Sequence, residues 1–308
     1  MNLYSSQFKE SSTVIVTLML ALAFFCSGIT KATAQSDSDW KAVEEAMGRP
    51  GQMQPGDVFR FGMPRKDLHV TVGKVVVKPG LALGSWAAFK KDESGAMVMG
   101  DLVLTEDEIE SVMLKLQSAG IHESAIHNHL IGESPRVLYM HISTHGDAVA
   151  MARAIHDALA LTKTPGPDST AASPAAQDLG FDQKKVEAAL GRTGKVNGGV
   201  LQVSVPRAEQ ITDSGMVVPP SMGVATAINF QATGDGKAAI TGDFVLLGHE
   251  VNPVLKALRE NGIAVTALHN HMLAESPRLF FMHFWGNDDA VKLANGLRAA
   301  LDVTNSAK

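Results

Sequence analysis

The chain has 308 residues, enough for about two ordinary domains, and its 45% hydrophobic against 19% charged content is that of a folded globular protein. With 27 basic and 32 acidic residues the net charge is −5, which gives no electrostatic case for a nucleic-acid partner. Past the N-terminal stretch no apolar run approaches the roughly 20 residues that a bilayer span requires, so no membrane association is expected after that stretch is removed.

Residues 1–34 read as a cleavable secretory signal peptide. Lys9 precedes an apolar core from Val14 to Phe25, and Ala32-Thr33-Ala34 supplies a small-x-small cleavage pattern. The expected location is therefore secreted or periplasmic. Cys26 is the only cysteine and lies inside this segment, where the preceding Phe24-Phe25 is a poor context for lipid attachment. The mature chain then has no thiolate for metal, disulfide or nucleophilic chemistry.

The mature chain is one pattern written twice. Val43-Glu44-Glu45-Ala46-Met47-Gly48-Arg49 returns as Val186-Glu187-Ala188-Ala189-Leu190-Gly191-Arg192, Gly100-Asp101 as Gly242-Asp243, and His127-Asn128-His129 as His269-Asn270-His271. Glu133-Ser134-Pro135-Arg136 returns as Glu275-Ser276-Pro277-Arg278, and Met140-His141 as Met282-His283. Over residues 121–149 against 263–291, 14 of 29 positions are identical, and the matches fall on His, Asn, Pro, Arg and Met, so low complexity does not explain them. The reading is a first repeat domain at 36–162, a Pro/Ser/Ala-rich linker at 163–180 and a second repeat domain at 181–304.

In chain order, each copy opens with a short helix (Asp39 to Met47 in the first) stopped by Gly48 as a left-handed cap. Strands come next at Val58–Met63, His69–Val77 and Ser85–Lys90, with turns at Pro79-Gly80 and Glu93-Ser94-Gly95. Met97–Leu104 alternates as a strand. Thr105 with Glu108 forms a capping box, and Ile109, Val112, Met113 and Leu116 line one face of the next helix, which Gly120 ends. His122–Ile131 and Arg136–Thr144 make a hairpin about Gly132–Pro135, and Asp147 to Leu161 is an Ala-rich amphipathic helix. In the second copy Asn252-Pro253 opens the corresponding helix. The predicted fold class is α+β: a duplicated, mainly antiparallel β unit with a ferredoxin-like β-α-β-β-α half, in two pseudo-symmetric domains.

Chemistry concentrates in the hairpin. Alternate residues of a strand share a face, so His127 and His129 point the same way. With the turn centred on Ser134, equidistant positions face each other, placing His127 opposite His141 and His129 opposite Tyr139. Glu133 sits at the hairpin end as a fourth donor. The second copy gives His269 opposite His283, with His271 and Glu275. Three imidazoles and a carboxylate in each half suit a divalent transition metal: zinc, copper, iron, manganese or nickel. The spacing from His127 to Glu133 resembles the first metal motif of cupins, but the third histidine comes from the next strand, so the cupin fold is not implied.

Around this set, Asp101 and Asp243 are carboxylates in mid-strand that can orient an imidazole. Arg136 and Arg278 can neutralise Glu133 and Glu275 or bind an anionic group. The first copy has Tyr139 and His145 where the second has Phe281 and Asn287, which favours the first for activity. His69, His122, His156 and His249 read as surface or packing residues, and Met140 and Met282 as core, since strand neighbours point to opposite faces. Two functional classes emerge. One is an exported metal-binding protein, with the metal activating water or a substrate oxygen in an enzymatic version. The other is a metal-free periplasmic ligand-binding or interaction module, with a polar histidine network, Arg136 and Arg278 lining a cleft between the two halves.

The paired His-Asn-His, Glu-Ser-Pro-Arg and Met-His blocks, the duplication and the leader together resemble the LppY/LpqO family of secreted bacterial proteins. That resemblance covers essentially the whole mature chain. It implies an exported protein of two similar halves and no assigned activity, so it supplies no catalytic residues.

Overall fold

The structure is a computed structural model that describes residues 40–92, 95–167 and 179–307. The predicted leader with Cys26, the Glu93-Ser94 pair and residues 168–178 of the predicted linker lie outside the described residues.

The first half runs α1 (Lys41–Met47), β1 (Gln52–Gln54), β2 (Val58–Pro64), β3 (Thr71–Val72), β4 (Val75–Val76), α2 (Pro79–Ala82), β5 (Gly84–Asp92), β6 (Gly95–Thr105), α3 (Ile109–Ser118), β7 (Glu123–His127), β8 (Glu133–Ser134), β9 (Val137–Gly146) and α4 (Ala148–Leu159). The second repeats this order: α5 (Gln183–Leu190), β10 (Lys195–Asn197), β11 (Val200–Pro206), β12 (Thr212–Asp213), β13 (Met216–Val217), β14 (Ala225–Gly234), β15 (Lys237–Leu247), α6 (Val251–Glu260), β16 (Ala264–His269), β17 (Glu275–Ser276), β18 (Leu279–Asp289) and α7 (Ala290–Leu301). A one-turn 3-10 segment, Pro220–Met222, stands where α2 does in the first half.

Each half builds a six-stranded antiparallel sheet, β1-β2-β5-β6-β9-β7 and β10-β11-β14-β15-β18-β16. Strand β9 lies between β6 and β7, so β6-α3-β7 is a split βαβ unit. The duplicated α+β class is therefore confirmed. The predicted strand His69–Val77 is instead the hairpin β3-β4, whose first strand pairs with β8; β12, β13 and β17 mirror it.

Period-two alternation divides the faces. On β9, Met140 and Ile142 join the core with α1, α3 and α4, while Val137 and Tyr139 face residues of the other half, Val200 and Ala239. On β18, Met282 and Phe284 face the second half's helices, and Leu279 and Phe281 pack with Ala88, Met97 and Met99 of the first half. Helices thus cover the outer faces and the sheets' inner faces meet. The methionines beside the histidines are core residues, as the alternation predicts. Among the described residues no helix is long and apolar enough to cross a membrane.

Local chemistry sets the element ends. Gly48 and Gly191 adopt φ of 66° and 68° at the C-termini of α1 and α5, conformations that cost glycine least. Asp147 and Asp289 cap α4 and α7 by accepting the backbone N–H of Ala150 and Lys292. The carboxylate of Glu108 accepts the Thr105 N–H at 2.9 Å, one arm of the predicted capping box, although the helix begins after Glu108 rather than after Thr105.

Glu108 also meets the buried Arg65 guanidinium at 2.7 Å, with Asp67 on the other edge at 2.8 Å and Lys163 N–H at 3.1 Å. Glu250, Arg207, Glu209 and Asn305 repeat this arrangement in the second half. Each pair straps the end of a repeat onto its sheet. Glu108→Ala is expected to cost about 3 kcal/mol in chemical denaturation, the low end for breaking a buried pair because Asp67 stays on the guanidinium; an unchanged urea midpoint would contradict this.

Candidate metal centre

The hairpin register differs from the predicted one by two residues. His127 ends β7 opposite Tyr139, and His141 faces Ala125 on one side and Asp101 on the other. The second half agrees: His269 opposes Phe281, and His283 lies between Ala267 and Asp243. The turn centres near Glu133 rather than Ser134, because residues 133–134 leave the hairpin to pair with β3. A shift of two preserves parity, so His127 and His141 still share a face. His129 and His271 lie beyond the strand ends, in loops.

Those loops carry the rings across the molecular pseudo-twofold. The hydroxyl of Ser124 donates to the His271 carbonyl and that of Thr266 to the His129 carbonyl. Asn128 Nδ2 donates to Leu130 O and to Thr266 O of the other half at 2.9 and 3.1 Å; Asn270 does the same to Met272 O and Ser124 O at 3.1 and 3.0 Å. The asparagine between the two histidines is the clamp that closes the halves on each other. Sequence reasoning gave Asn128, Asn270, Ser124 and Thr266 no role, although their return as Asn and hydroxyl in both copies was a usable signal.

The result is one cluster of six imidazoles, in place of the expected separate site in each half. Ring centroids of His127 and His269 lie 3.6 Å apart, those of His129 and His283 3.8 Å, and those of His141 and His271 3.8 Å. Two triads bring ligand atoms within 4.8 Å of one another: His127, His269 and His283, and His141, His269 and His271. Both mix the halves.

The electrostatics are those of neutral ligands. Burial pushes His127 and His283 down to about 4 and His271 to about 3, and lowers His129, His141 and His269 as well, helped in most by neighbouring rings. Backbone carbonyls occupy Nδ1 of His127 (Asn128 O, 3.1 Å), His271 (Gly223 O, 3.3 Å) and His283 (Gly242 O, 2.7 Å). A carbonyl on Nδ1 fixes the proton there and turns the Nε2 lone pair outward, as in metal-bound histidine. The Nε2 atoms of His127, His129, His141, His269 and His283 are buried with no hydrogen-bond partner among the described residues, and that of His271 is buried with the Asp243 carboxylate 3.0 Å away.

Gly242 explains the repeated Gly-Asp pair. A Cβ on it would stand 1.9 Å from Ala227 O, so only glycine lets β14 and β15 approach there. Next to it, Asp243 Oδ2 lies 3.0 Å from His271 Nε2 and Oδ1 lies 3.8 Å from His283 Nδ1. Asp101 stands 3.7 Å from His129 Nε2 and 3.9 Å from His141 Nδ1. Burial raises both carboxyls, Asp243 to about 6 and Asp101 well above its ordinary range, the neighbouring Asp243 adding to the rise in Asp101. Arg60, seated over the Trp86 ring at 4.0 Å and pushed down to about 10 by burial, faces Asp101. The second half has Gln202 there, so the two carboxylates are not equivalent.

Several predicted site residues stand elsewhere. Glu275 accepts the Leu279 N–H at 3.0 Å and pairs with Arg278 at 3.3 Å; Glu133, raised by burial, accepts from Val137 N–H. Both close the turn and neither joins a triad. Arg136 is exposed and pairs with Glu106 at 3.4 Å. The Tyr139 ring stacks on His129 at 3.2 Å while its hydroxyl donates to Ala82 O, and Phe281 stacks on His271 without a hydroxyl. His145 sits 3.5 Å from Asp92 on the exposed end of β9. Of the two residues peculiar to the first half, Tyr139 thus lines the cluster and His145 lies away from it.

None of the curated proteins matches the chain. Among solved structures, crystal structures of a trimeric bacterial microcompartment shell protein, PduB, and of EtuB from Clostridium kluyveri align at 13% and 10% identity. They cover 81% and 82% of this chain and 87% and 90% of theirs, with TM-scores of 0.20 and 0.19, and at those scores carry no argument. The model of the family described as Domain of Unknown Function (DUF1259) matches twice, over residues 41–161 and 184–303, one match to each half, and the chain belongs to that family.

Proposed function

We propose that this is an exported protein that binds a divalent transition metal in a site shared by its two halves, built from His127, His129, His141, His269, His271 and His283. The observation that carries the reading is the convergence of six buried Nε2 atoms, five of them without any partner and the sixth, of His271, beside the Asp243 carboxylate. Buried polar atoms are ordinarily satisfied, and unpaired ones cost about 1–3 kcal/mol each. An ion supplies the missing partner for lone pairs already fixed outward. The metal-free network fits less well, since a network would pair these nitrogens with one another. An all-imidazole set suits zinc, copper, iron and nickel ahead of manganese, which prefers oxygen donors. Asp101 and Asp243 orient the rings and offset the ion's charge. Export rests on the leader-like residues 1–34 and on the resemblance to the LppY/LpqO family.

One preparation tests both parts. Protein isolated from the periplasm or culture fluid is expected to begin at Gln35 and to contain stoichiometric transition metal by elemental analysis, and His141→Ala with His283→Ala should lose the metal while retaining the fold. An N-terminus at Met1 overturns the export reading. A metal-free protein that binds none of these ions on addition overturns the site.

A further inference from the structure

Resting on the shared metal site, we propose that the imidazole of His269 bridges two metal ions, one held with His127 and His283 and the other with His141 and His271. His269 is the ring common to both triads. It also differs from the other five in its surroundings. Each of those leaves at most Nε2 buried without a partner, and His271 has the Asp243 carboxylate 3.0 Å from its Nε2, whereas His269 leaves both Nδ1 and Nε2 unpartnered among the described residues. Its pseudo-symmetric counterpart, His127, has Nδ1 committed to the Asn128 carbonyl at 3.1 Å. Pseudo-symmetry puts a ring on each side of the axis, and the local hydrogen bonds leave one of the two with both nitrogens free.

A single ion does not satisfy the cluster. Placed in the first triad it leaves His141 and one nitrogen of His269 buried and unpaired, with His271 facing only the Asp243 carboxylate; placed in the second it leaves His127, His283 and again one nitrogen of His269. Each such atom costs free energy when desolvated and unmatched. Two ions sharing His269 give every nitrogen of both triads a partner. A neutral imidazole offers one lone pair and one N–H, so binding the second ion displaces the remaining ring proton to solvent. No electron is transferred. Two divalent ions bring four positive charges; the deprotonated ring and the carboxylates of Asp101 and Asp243 offset three, which keeps the buried charge small. His129, 3.7 Å from Asp101 and in neither triad, stands outside the bridge.

Copper(II) alone is the probe, added to the metal-free full chain and read by elemental analysis and electron paramagnetic resonance. The expected result is two copper ions per chain with most of the resonance intensity lost, because the unpaired electrons couple through the shared ring. His269→Ala should restore full intensity for the copper it retains. His271→Ala removes a ligand from one ion only and should leave one uncoupled copper per chain. Circular dichroism establishes that each variant is folded, and the His271 variant keeps the test decisive if the His269 variant is not. Two coppers with full intensity in the unaltered protein overturn the bridge. One copper per chain overturns the bridge but leaves the shared site standing, and none removes both.

Discussion

Acidification of the metal-free protein is expected to unfold it steeply between about pH 6.5 and pH 4, the interval between the unfolded and folded pKa of its buried histidines. Unfolded rings titrate near 6.5, whereas burial holds His283 at about 4 and His271 at about 3 and lowers the other four. In that window the unfolded chain takes up protons that the folded one refuses, so stability is lost as pH falls, at about 1.4 kcal/mol per pH unit for each ring. Asp243, raised to about 6, and Asp101, raised well above the ordinary carboxylate range by burial, act with the opposite sign, since the folded state holds their protons where the unfolded state does not. Six rings against two carboxyls leave a net of four protons, or a slope of at most about 5 kcal/mol per pH unit, which exhausts an ordinary domain's stability within a few units. Thermal midpoints followed by circular dichroism at successive pH values measure it. A midpoint unchanged from pH 7 to about pH 5 would mean the rings are hydrated and titrate normally.

Much of this cluster was legible in the sequence. Period-two alternation placed His127 and His141 on one face and Met140 on the other, and those assignments survive because they depend on parity alone. The register did not survive. Its arithmetic treated residues 128–136 as a simple turn, whereas Glu133 and Ser134 are recruited by β3, a strand about sixty residues earlier. The carboxylate ligands failed for the same reason: a glutamate that closes a turn by accepting a backbone N–H reads in sequence like one free to bind an ion. What no hairpin arithmetic contains is the meeting of the halves. The triads mix residues some 140 positions apart, and the groups that bring them together are Asn128 and Asn270, whose role depends on a carbonyl in the other copy. Duplication was visible as repetition, but its consequence, a site with no complete version in either repeat, comes from how the inner sheet faces pack.

That consequence makes metal binding a cross-link between the halves, and adding metal is expected to raise the melting temperature strongly. Free ion at about a thousand times its dissociation constant contributes about 4 kcal/mol per ion. For a chain of this size each kcal/mol moves the midpoint by about 2–4 °C, so a shift of about 8–16 °C per ion is expected. Because burial already keeps the ligand rings neutral, the folded site stays competent below the pH at which free imidazole is protonated, and the acid limb of the stability profile should move down with the ion bound. His269→Leu separates a metal site from a structural network by sign. It removes a ring whose nitrogens lack partners and replaces it with an apolar side chain of similar volume, so the metal-free variant should be more stable than the metal-free parent by about 1–3 kcal/mol, while the gain on adding metal falls away. In a protein whose histidines serve as internal hydrogen bonds, the same change would destabilise with or without metal. Calorimetry of both proteins, each with and without the ion, decides between them, because a site built for an ion sacrifices stability in its absence.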